Sequence, residues 1–320
     1  MIGYGDGQER RRFYYFGIGV SLSTFGYAGE AAALSASVCW TATSLLFAQA
    51  GKRAQPLGMN MFRLPFAALC LGIFLWFSSG KVIPQGATNM QLWLLALSAF
   101  LGLAFGDGFY FRSLTLIGPR RATLLSASTP VVTALLAVPL LGEGLSWVAW
   151  GGILLTTGGI IWVIAEQHEN GAPVANLKAG IIYGLMGAFG QATGLLVAKI
   201  AMNGTMAAIP TAFFRMFSAA LMVWVWGMAT GNLNRIQPVL KNKDALRPLL
   251  LASLLGPVTG VSLVLFAYRT TEAGVVATLS TLYPLLVVPV VWLRGDGTPT
   301  FRTIAGTVIA MVGVAIIFLR

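Results

Sequence analysis

The hydrophobic residues of the chain fall into ten long runs, separated by short stretches that hold most of the charged residues. The runs cover approximately 31–49, 58–79, 91–112, 122–141, 147–165, 179–200, 207–230, 248–268, 273–293 and 303–319. About twenty apolar residues are needed for a helix to cross a hydrocarbon core about 30 Å thick. The pattern therefore predicts an all-α integral membrane protein with ten transmembrane helices.

The second half of the chain repeats the first in a degraded form. Four residues recur 154 positions later, so that Ser126, Pro130, Gly152 and Gly159 are matched by Ser280, Pro284, Gly306 and Gly313. Thr43 is matched by Thr193 at an offset of 150, and Arg63 by Arg215 at an offset of 152. Such a shared register over two apolar segments indicates an internal duplication.

Each copy holds five predicted spans, and this odd number decides the architecture. A second copy that follows five crossings enters the membrane upside down, so the two copies are predicted to form inverted repeats. The predicted units are an N-terminal extension over 1–30, a first repeat over 31–168 and a second over 178–320. The extension is too short for a comfortable span and is interpreted as interfacial, with a cleaved signal or an eleventh span as alternatives.

Composition narrows the class of protein further. Hydrophobic residues make up 57% of the chain and charged residues 10%, and the mean hydropathy is +0.78, which excludes an ordinary soluble domain. The net charge of +11 is scattered over short loops, so it predicts membrane orientation and no nucleic-acid partner. The heavier loops follow the odd-numbered spans, which predicts that those loops lie in the cytoplasm and both ends of the ten-span core outside. Arg10, Arg11 and Arg12 in the N-terminal extension favour the opposite orientation.

The sequence holds few residues of the types that catalyse reactions or bind metals. The chain has one histidine and two cysteines, too few for a metal cluster or a catalytic triad, and it has no phosphate-cradling loop of the Walker type. We therefore expect no cofactor, no metal and no enzyme activity.

Several residues resemble a known family pattern. Trp40 lies in the first span, Arg63 starts the second, and a proline-containing fourth span ends in Leu-Gly-Glu-Gly around Glu143. This pattern resembles the EamA-type branch of the drug/metabolite transporter superfamily over roughly 30–319. The resemblance implies a multi-pass protein of the plasma or inner membrane that exports amino acids, other metabolites or drugs, as a monomer or a homodimer.

Polar and aromatic residues inside the spans are the candidates for a substrate cavity. A proline within a span frees a backbone carbonyl and permits a bend, so the matched prolines are interpreted as cavity walls, with tolerated kinks as the alternative. The cavity candidates are Trp40, Thr43, Tyr110, Ser126, Pro130, Gln191, Thr193, Ser280, Tyr283 and Pro284.

Three charged residues are candidates for gating or coupling. Asp107 lies well inside a span, where an ionisable group is costly, and is interpreted as a substrate-amine or proton-coupling site or as a structural contact. Arg63 and Arg215 are interpreted as gates or as holders of an anionic substrate group, with snorkelling toward the headgroups as the alternative. Glu143 is predicted to cap a loop or to join a salt bridge, and the glycines of the fifth and tenth spans are predicted to pack helices together.

The function that these predictions favour is a secondary transporter. Its substrate would be a small molecule such as an amino acid or an amphipathic drug, bound between the inverted halves and driven by its own gradient or by protons. A passive channel or a lipid scramblase is the alternative.

Overall fold

A computed structural model describes residues 27–318 of the chain, except for 52, 85, 167–175, 204–205, 284, 287–289 and 291–299. The described residues are helical and contain no strand. The helices of the first half are α1 (Ala28–Gly51), α2 (Pro56–Ser79), α3 (Asn89–Ala99), α4 (Asp107–Ser126), α5 (Thr129–Leu141) and α6 (Trp147–Glu166). Those of the second half are α7 (Leu177–Met202), α8 (Ala208–Ala229), α9 (Gln237–Lys241), α10 (Lys243–Ser253), α11 (Val261–Thr270), α12 (Ala273–Ser280) and α13 (Phe301–Phe318).

Six helical segments in the described residues are long and apolar enough to cross a membrane. They are Ala28–Gly51, Pro56–Ser79, Asn89–Tyr110, Leu177–Met202, Ala208–Ala229 and Lys243–Thr270. Thr129–Leu141, Trp147–Trp162 and Phe301–Ile317 are shorter apolar helices. Many large apolar side chains face outward, including Phe77, which is 86% exposed, and this suits contact with lipid.

The boundary predicted between the third and fourth spans differs in the structure. Residues 113–121 were expected to form a loop, but they continue α4 as far as Ser126. Helix α4 ends there, and α5 begins with Thr129 and Pro130. Pro130 thus lies in the first turn of a helix and not in a helix interior. In the first turn a backbone N–H has no acceptor within the helix, so the N–H that proline lacks is not missed and the helix does not bend.

A π-helical segment interrupts the third long helix of each half. The first, π1 (Phe100–Gly106), joins α3 to α4, and the second, π2 (Leu254–Gly260), joins α10 to α11. Both segments start and end at an offset of 154 residues, so the duplication seen in the sequence extends to a rare backbone feature. Such segments are frequent at functional sites.

The two halves pack on each other in a reciprocal pattern. Helix α2 packs against α8, α5 against α12, and α6 against α13, which pairs equivalent helices of the two halves. Helix α1 packs against α10, π2 and α11, and α7 packs against α3, π1 and α4. An exchange of partners of this kind is what a pseudo-two-fold relation between the halves produces.

Glycines set the distance between α6 and α13. A Cβ on Gly159 would lie 2.6 Å from the backbone nitrogen of Ala310, and a Cβ on Gly152 would lie 2.9 Å from the carbonyl oxygen of Gly313. The Thr156 hydroxyl also donates a 3.3 Å hydrogen bond to the Ala310 carbonyl. The predicted packing role of these glycines is confirmed, and their contact joins the two halves of one chain.

Candidate functional site

The charged residues predicted inside the spans meet between the two halves. The Arg63 guanidinium of α2 forms an ion pair with the Asp107 carboxylate, which begins α4 directly after π1. The Gln191 side-chain amide of α7 donates a hydrogen bond to the other carboxylate oxygen of Asp107. The Phe47 ring lies 5.4 Å from the Arg63 guanidinium, so an aromatic face also contacts the cation.

Glycines allow α7 to reach this ion pair. A Cβ on Gly190 would lie 2.8 Å from the Leu101 carbonyl oxygen, and one on Gly194 would lie 2.6 Å from the Gly102 backbone nitrogen. The Ser98 hydroxyl donates a 2.6 Å hydrogen bond to the Gly194 carbonyl oxygen across the same contact. The close approach of two backbones therefore places Gln191 beside the end of π1, where Asp107 stands.

Arg215 occupies the corresponding place in α8, but its surroundings differ. Only 2% of the residue is exposed, and its Nε atom has no hydrogen-bond partner among the described residues. Its Nη2 atom lies 3.4 Å from the position that a Cβ on Gly102 would take. Tyr268 and Asp107 both act on it electrostatically. Two arginines and one carboxylate therefore share the space between the halves.

Snorkelling is the wrong interpretation for both arginines. The Arg63 side chain is 12% exposed and is paired with Asp107, and Arg215 is buried more completely still. An arginine that snorkels holds its guanidinium in water or among headgroups. The Arg63 guanidinium points inward because the Asp107 carboxylate and the Phe47 ring contact it, and the Arg215 guanidinium lies inside near Tyr268.

Aromatic residues line a neighbouring part of the same interior. The rings of Trp40 and Tyr283 meet edge to face with their centroids 6.5 Å apart, and the Trp40 indole packs against Gly260 of π2. The Tyr283 hydroxyl lies within hydrogen-bonding reach of Ser126 and close to Tyr110. Tyr110 follows Asp107 by one helical turn, so this aromatic group lies next to the charged one.

The remaining candidates take less central positions. The Thr43 hydroxyl donates to the Ala252 carbonyl oxygen at 3.4 Å, and that of Thr193 donates to the Phe189 carbonyl oxygen of its own helix at 2.8 Å. Ser280 is buried at the end of α12 and donates to the Val276 carbonyl oxygen at 2.7 Å. Pro284 lies outside the described residues.

A second ion pair joins Glu143 to Lys199, a partner that the sequence did not predict. The Leu-Gly-Glu-Gly turn ends α5 with Gly142 at φ +66°, a conformation that favours glycine, and Glu143 follows it. One oxygen of the Glu143 carboxylate pairs with the Lys199 ammonium of α7. The other accepts a 2.7 Å hydrogen bond from the Ala273 N–H at the start of α12.

Lys199 extends this contact. Its ammonium also donates a 2.6 Å hydrogen bond to the Thr271 carbonyl oxygen. The Thr271 hydroxyl in turn donates to the buried Glu30 carboxylate at 3.4 Å. The expected salt-bridge role of Glu143 is confirmed, and Glu143 with Lys199, Thr271 and Ala273 forms what we call the latch, which ties α5 of the first half to α7 and α12 of the second.

Comparison with known proteins places this architecture in a family. The sequence profile of the EamA-like transporter family matches residues 27–165 and again 178–319. The chain belongs to the EamA-like transporter family. It is accordingly an integral, multi-pass membrane protein, and membership in this family points to transport and away from enzyme activity.

Two further likenesses concern a curated protein and a solved structure. A protein from Lactiplantibacillus plantarum that bears the description "Putative sugar uptake protein" is 27% identical over 157 residues, which are 47% of this chain and 52% of that protein. The match thus spans about half the length of this relative. A solved crystal structure with 18% identity superposes with a TM-score of 0.72 over 91% of this chain and 96% of the other, which shows the same fold.

Proposed function

We propose that this EamA-like chain is a secondary transporter with ten spans in two inverted halves, which exports small metabolites such as amino acids or amphipathic drugs by alternating access. The observation that carries the proposal is the meeting of Arg63, Asp107, Gln191 and Arg215 between the two halves. Charged groups inside a membrane protein are costly and mark substrate or ion pathways. Each of these four residues comes from a different helix, so a rocking of the halves would change their mutual contacts.

The two faces of the molecule differ in how firmly the halves are joined. The latch lies on the face of the even-numbered loops, which the positive-inside rule places outside. On the opposite face the Arg235 guanidinium donates to the Gln55 side-chain carbonyl oxygen, and both residues are exposed. An exposed pair contributes little to stability, whereas partly buried ion pairs with further hydrogen bonds contribute more. We infer that the latch is the outer gate.

Counterflow in proteoliposomes tests the proposed function. Vesicles that hold the full chain and are loaded with unlabelled amino acids, aromatic metabolites, purines or D-glucose should accumulate the matching labelled compound transiently, with a rate that saturates. D-Glucose belongs in the panel because the relative is described as a sugar uptake protein. Movement in both directions should be followed, because that description names uptake and the proposal names export.

The alternatives of a passive channel and a lipid scramblase give different results. A channel would show linear flux without counterflow. A scramblase would move headgroup-labelled lipid between leaflets, and this requires a polar groove for the headgroup. A groove of about 640 Å³ lies between α2 and α8, but apolar residues such as Leu69, Phe77, Phe217 and Leu221 line it. That groove therefore offers no polar path for a headgroup.

Loss of the latch should open the outer face more often. In a background with Cys39→Ala and Cys70→Ala, a cysteine introduced at the buried position Ala277 of α12 should react with a membrane-impermeant maleimide about tenfold faster when Glu143→Gln is added. The reason is that glutamine retains an acceptor for the Ala273 N–H but loses the charge that binds Lys199.

A control variant isolates the latch in this experiment. Asp244→Asn removes an acidic charge from an exposed residue at the start of α10 and should leave the labelling rate unchanged. If Glu143→Gln also left that rate unchanged in protein that elutes as a single folded species, the latch would not be a gate.

A further inference from the structure

Arg215 is a buried cation that lacks the counter-ion its counterpart has. The ion pairs in the described part of the chain join Arg63 to Asp107 and Lys199 to Glu143, and no described carboxylate lies within 4 Å of the Arg215 guanidinium. A buried charge without a partner costs several kcal/mol, so a membrane protein keeps one where function needs it. The place of Arg215 between the halves therefore points to a ligand.

The internal duplication identifies what is missing. In the first half, the residue directly after π1 is Asp107, which pairs with Arg63. In the second half, the residue directly after π2 is Val261, at the same offset of 154. Arg215 thus stands in the place of Arg63, while an apolar side chain stands in the place of the carboxylate. The second half has kept the cation of the pair and not the anion.

Buried polar groups lie beside Arg215. The Tyr268 hydroxyl of α11 and the Thr133 hydroxyl of α5 are fully buried and face each other, so each is the other's partner, and neither has a further one among the described residues. Tyr268 also acts electrostatically on Arg215. Buried polar atoms in native proteins are almost always paired. The Arg215 Nε is a buried donor without an acceptor among the described residues, and the Tyr268 and Thr133 hydroxyls are further donors for an acceptor bound there.

The charge next to Arg215 agrees with an anionic ligand. Two arginines, Arg63 and Arg215, share the space between the halves with one carboxylate, Asp107, and that carboxylate is paired with Arg63. An anionic group bound at Arg215 would balance its charge. A carboxylate suits a guanidinium well because two parallel N–H···O hydrogen bonds can form.

We propose that the carboxylate of the transported metabolite binds Arg215, with the hydroxyls of Tyr268 and Thr133 as further donors. This carboxylate would stand to Arg215 as the Asp107 carboxylate stands to Arg63. The inference rests on the proposed transport function and narrows its substrates to carboxylates, which include amino acids and exclude neutral sugars. Binding and transport are separate measurements, so the two proposals can fail independently.

Matched pairs of compounds and matched variants test the carboxylate site. The compounds are D-gluconate with D-glucitol and L-leucine with L-leucinamide, because each pair keeps the same carbon skeleton and differs in the group that replaces the carboxylate. Binding is measured as a ligand-induced shift in thermal unfolding of the full chain in detergent, and transport as counterflow. The variants are Arg215→Gln, Val261→Asp and Val261→Asn. Val261→Asp gives Arg215 a counter-ion within the protein, while Val261→Asn has the same size without the charge.

We expect the wild type to bind at least one carboxylate at least about tenfold more tightly than its uncharged or amide partner. Val261→Asp and Arg215→Gln should each abolish this preference, and Val261→Asn should retain it. Equal binding of both members of each pair by the wild type would overturn the site, as would equal loss in Val261→Asn and Val261→Asp. If D-glucose shows counterflow and Arg215→Gln does not change it, the protein is a transporter but the carboxylate site is wrong. If a carboxylate binds through Arg215 but no compound shows counterflow, the site is right and the transport function is wrong.

Discussion

Asp107→Asn is expected to reduce counterflow by at least about a hundredfold and to lower the free energy of unfolding by about 3 kcal/mol. The carboxylate accepts hydrogen bonds from both Arg63 and Gln191, and its negative charge also acts on Arg215. Asparagine preserves the shape but leaves two buried guanidinium groups without a carboxylate between the halves. The measurements are counterflow in proteoliposomes and thermal unfolding in detergent.

A second variant separates stability from transport at Asp107. Arg63→Gln combined with Asp107→Asn removes both charges of the ion pair and should recover most of the lost stability, because no unpaired charge remains from that pair. Transport should stay low if Asp107 has a role in the cycle. Wild-type flux with wild-type dependence on pH in Asp107→Asn would show that the carboxylate is a structural contact and not a coupling site.

Gly159→Ala should destabilise the chain by about 2–3 kcal/mol, although it adds a single methyl group. The added Cβ would lie 2.6 Å from the backbone nitrogen of Ala310 and 2.6 Å from the Gly306 carbonyl oxygen. Backbone atoms cannot rotate away as a side chain can, so α6 and α13 would have to separate. The readout is the unfolding midpoint in detergent, together with the yield of monodisperse protein.

The neighbouring glycine provides the control for this contact. A Cβ on Gly158 would meet no atom within 4 Å, so Gly158→Ala should change the free energy of unfolding by no more than about 0.5 kcal/mol. Equal effects of the two substitutions would mean that the α6–α13 contact does not contribute to stability in the way proposed.

Much of the architecture follows from simple regularities in the sequence. The length of the apolar runs predicts membrane helices, and the glycines of the fifth and tenth spans predict close packing. The end of the helix before Pro130 was predicted too early, because the residues at 107–126 give no signal that distinguishes the end of a helix from its continuation. The π segments were not predicted, since no particular residue types mark an extra residue in a helical turn. The shared offset of 154 is the one signal that could have drawn attention to Phe100–Gly106 and Leu254–Gly260.

The sequence predicted several residues of the site, but it did not predict which of them contact each other. Arg63 and Asp107 were each selected because charge is rare inside a span, yet their pairing depends on which helices are neighbours. Tyr268 and Thr133 were missed because their types are ordinary in such segments and only their complete burial sets them apart. Lys199 carried a usable signal, since a lysine in the last turn of an apolar helix needs a partner or water.

The reciprocal packing of the two halves has a consequence for how the protein is made. Helices α3 and α4 need α7 to cover the glycine face of π1, and α1 needs α10 and α11, so neither half can complete its contacts from its own helices. During synthesis the membrane helices of the first half must therefore be inserted before their partners, with Asp107 lacking its Gln191 partner until the second half has emerged from the ribosome. Insertion can proceed helix by helix, but the final assembly is a single event that begins only when the chain is nearly finished.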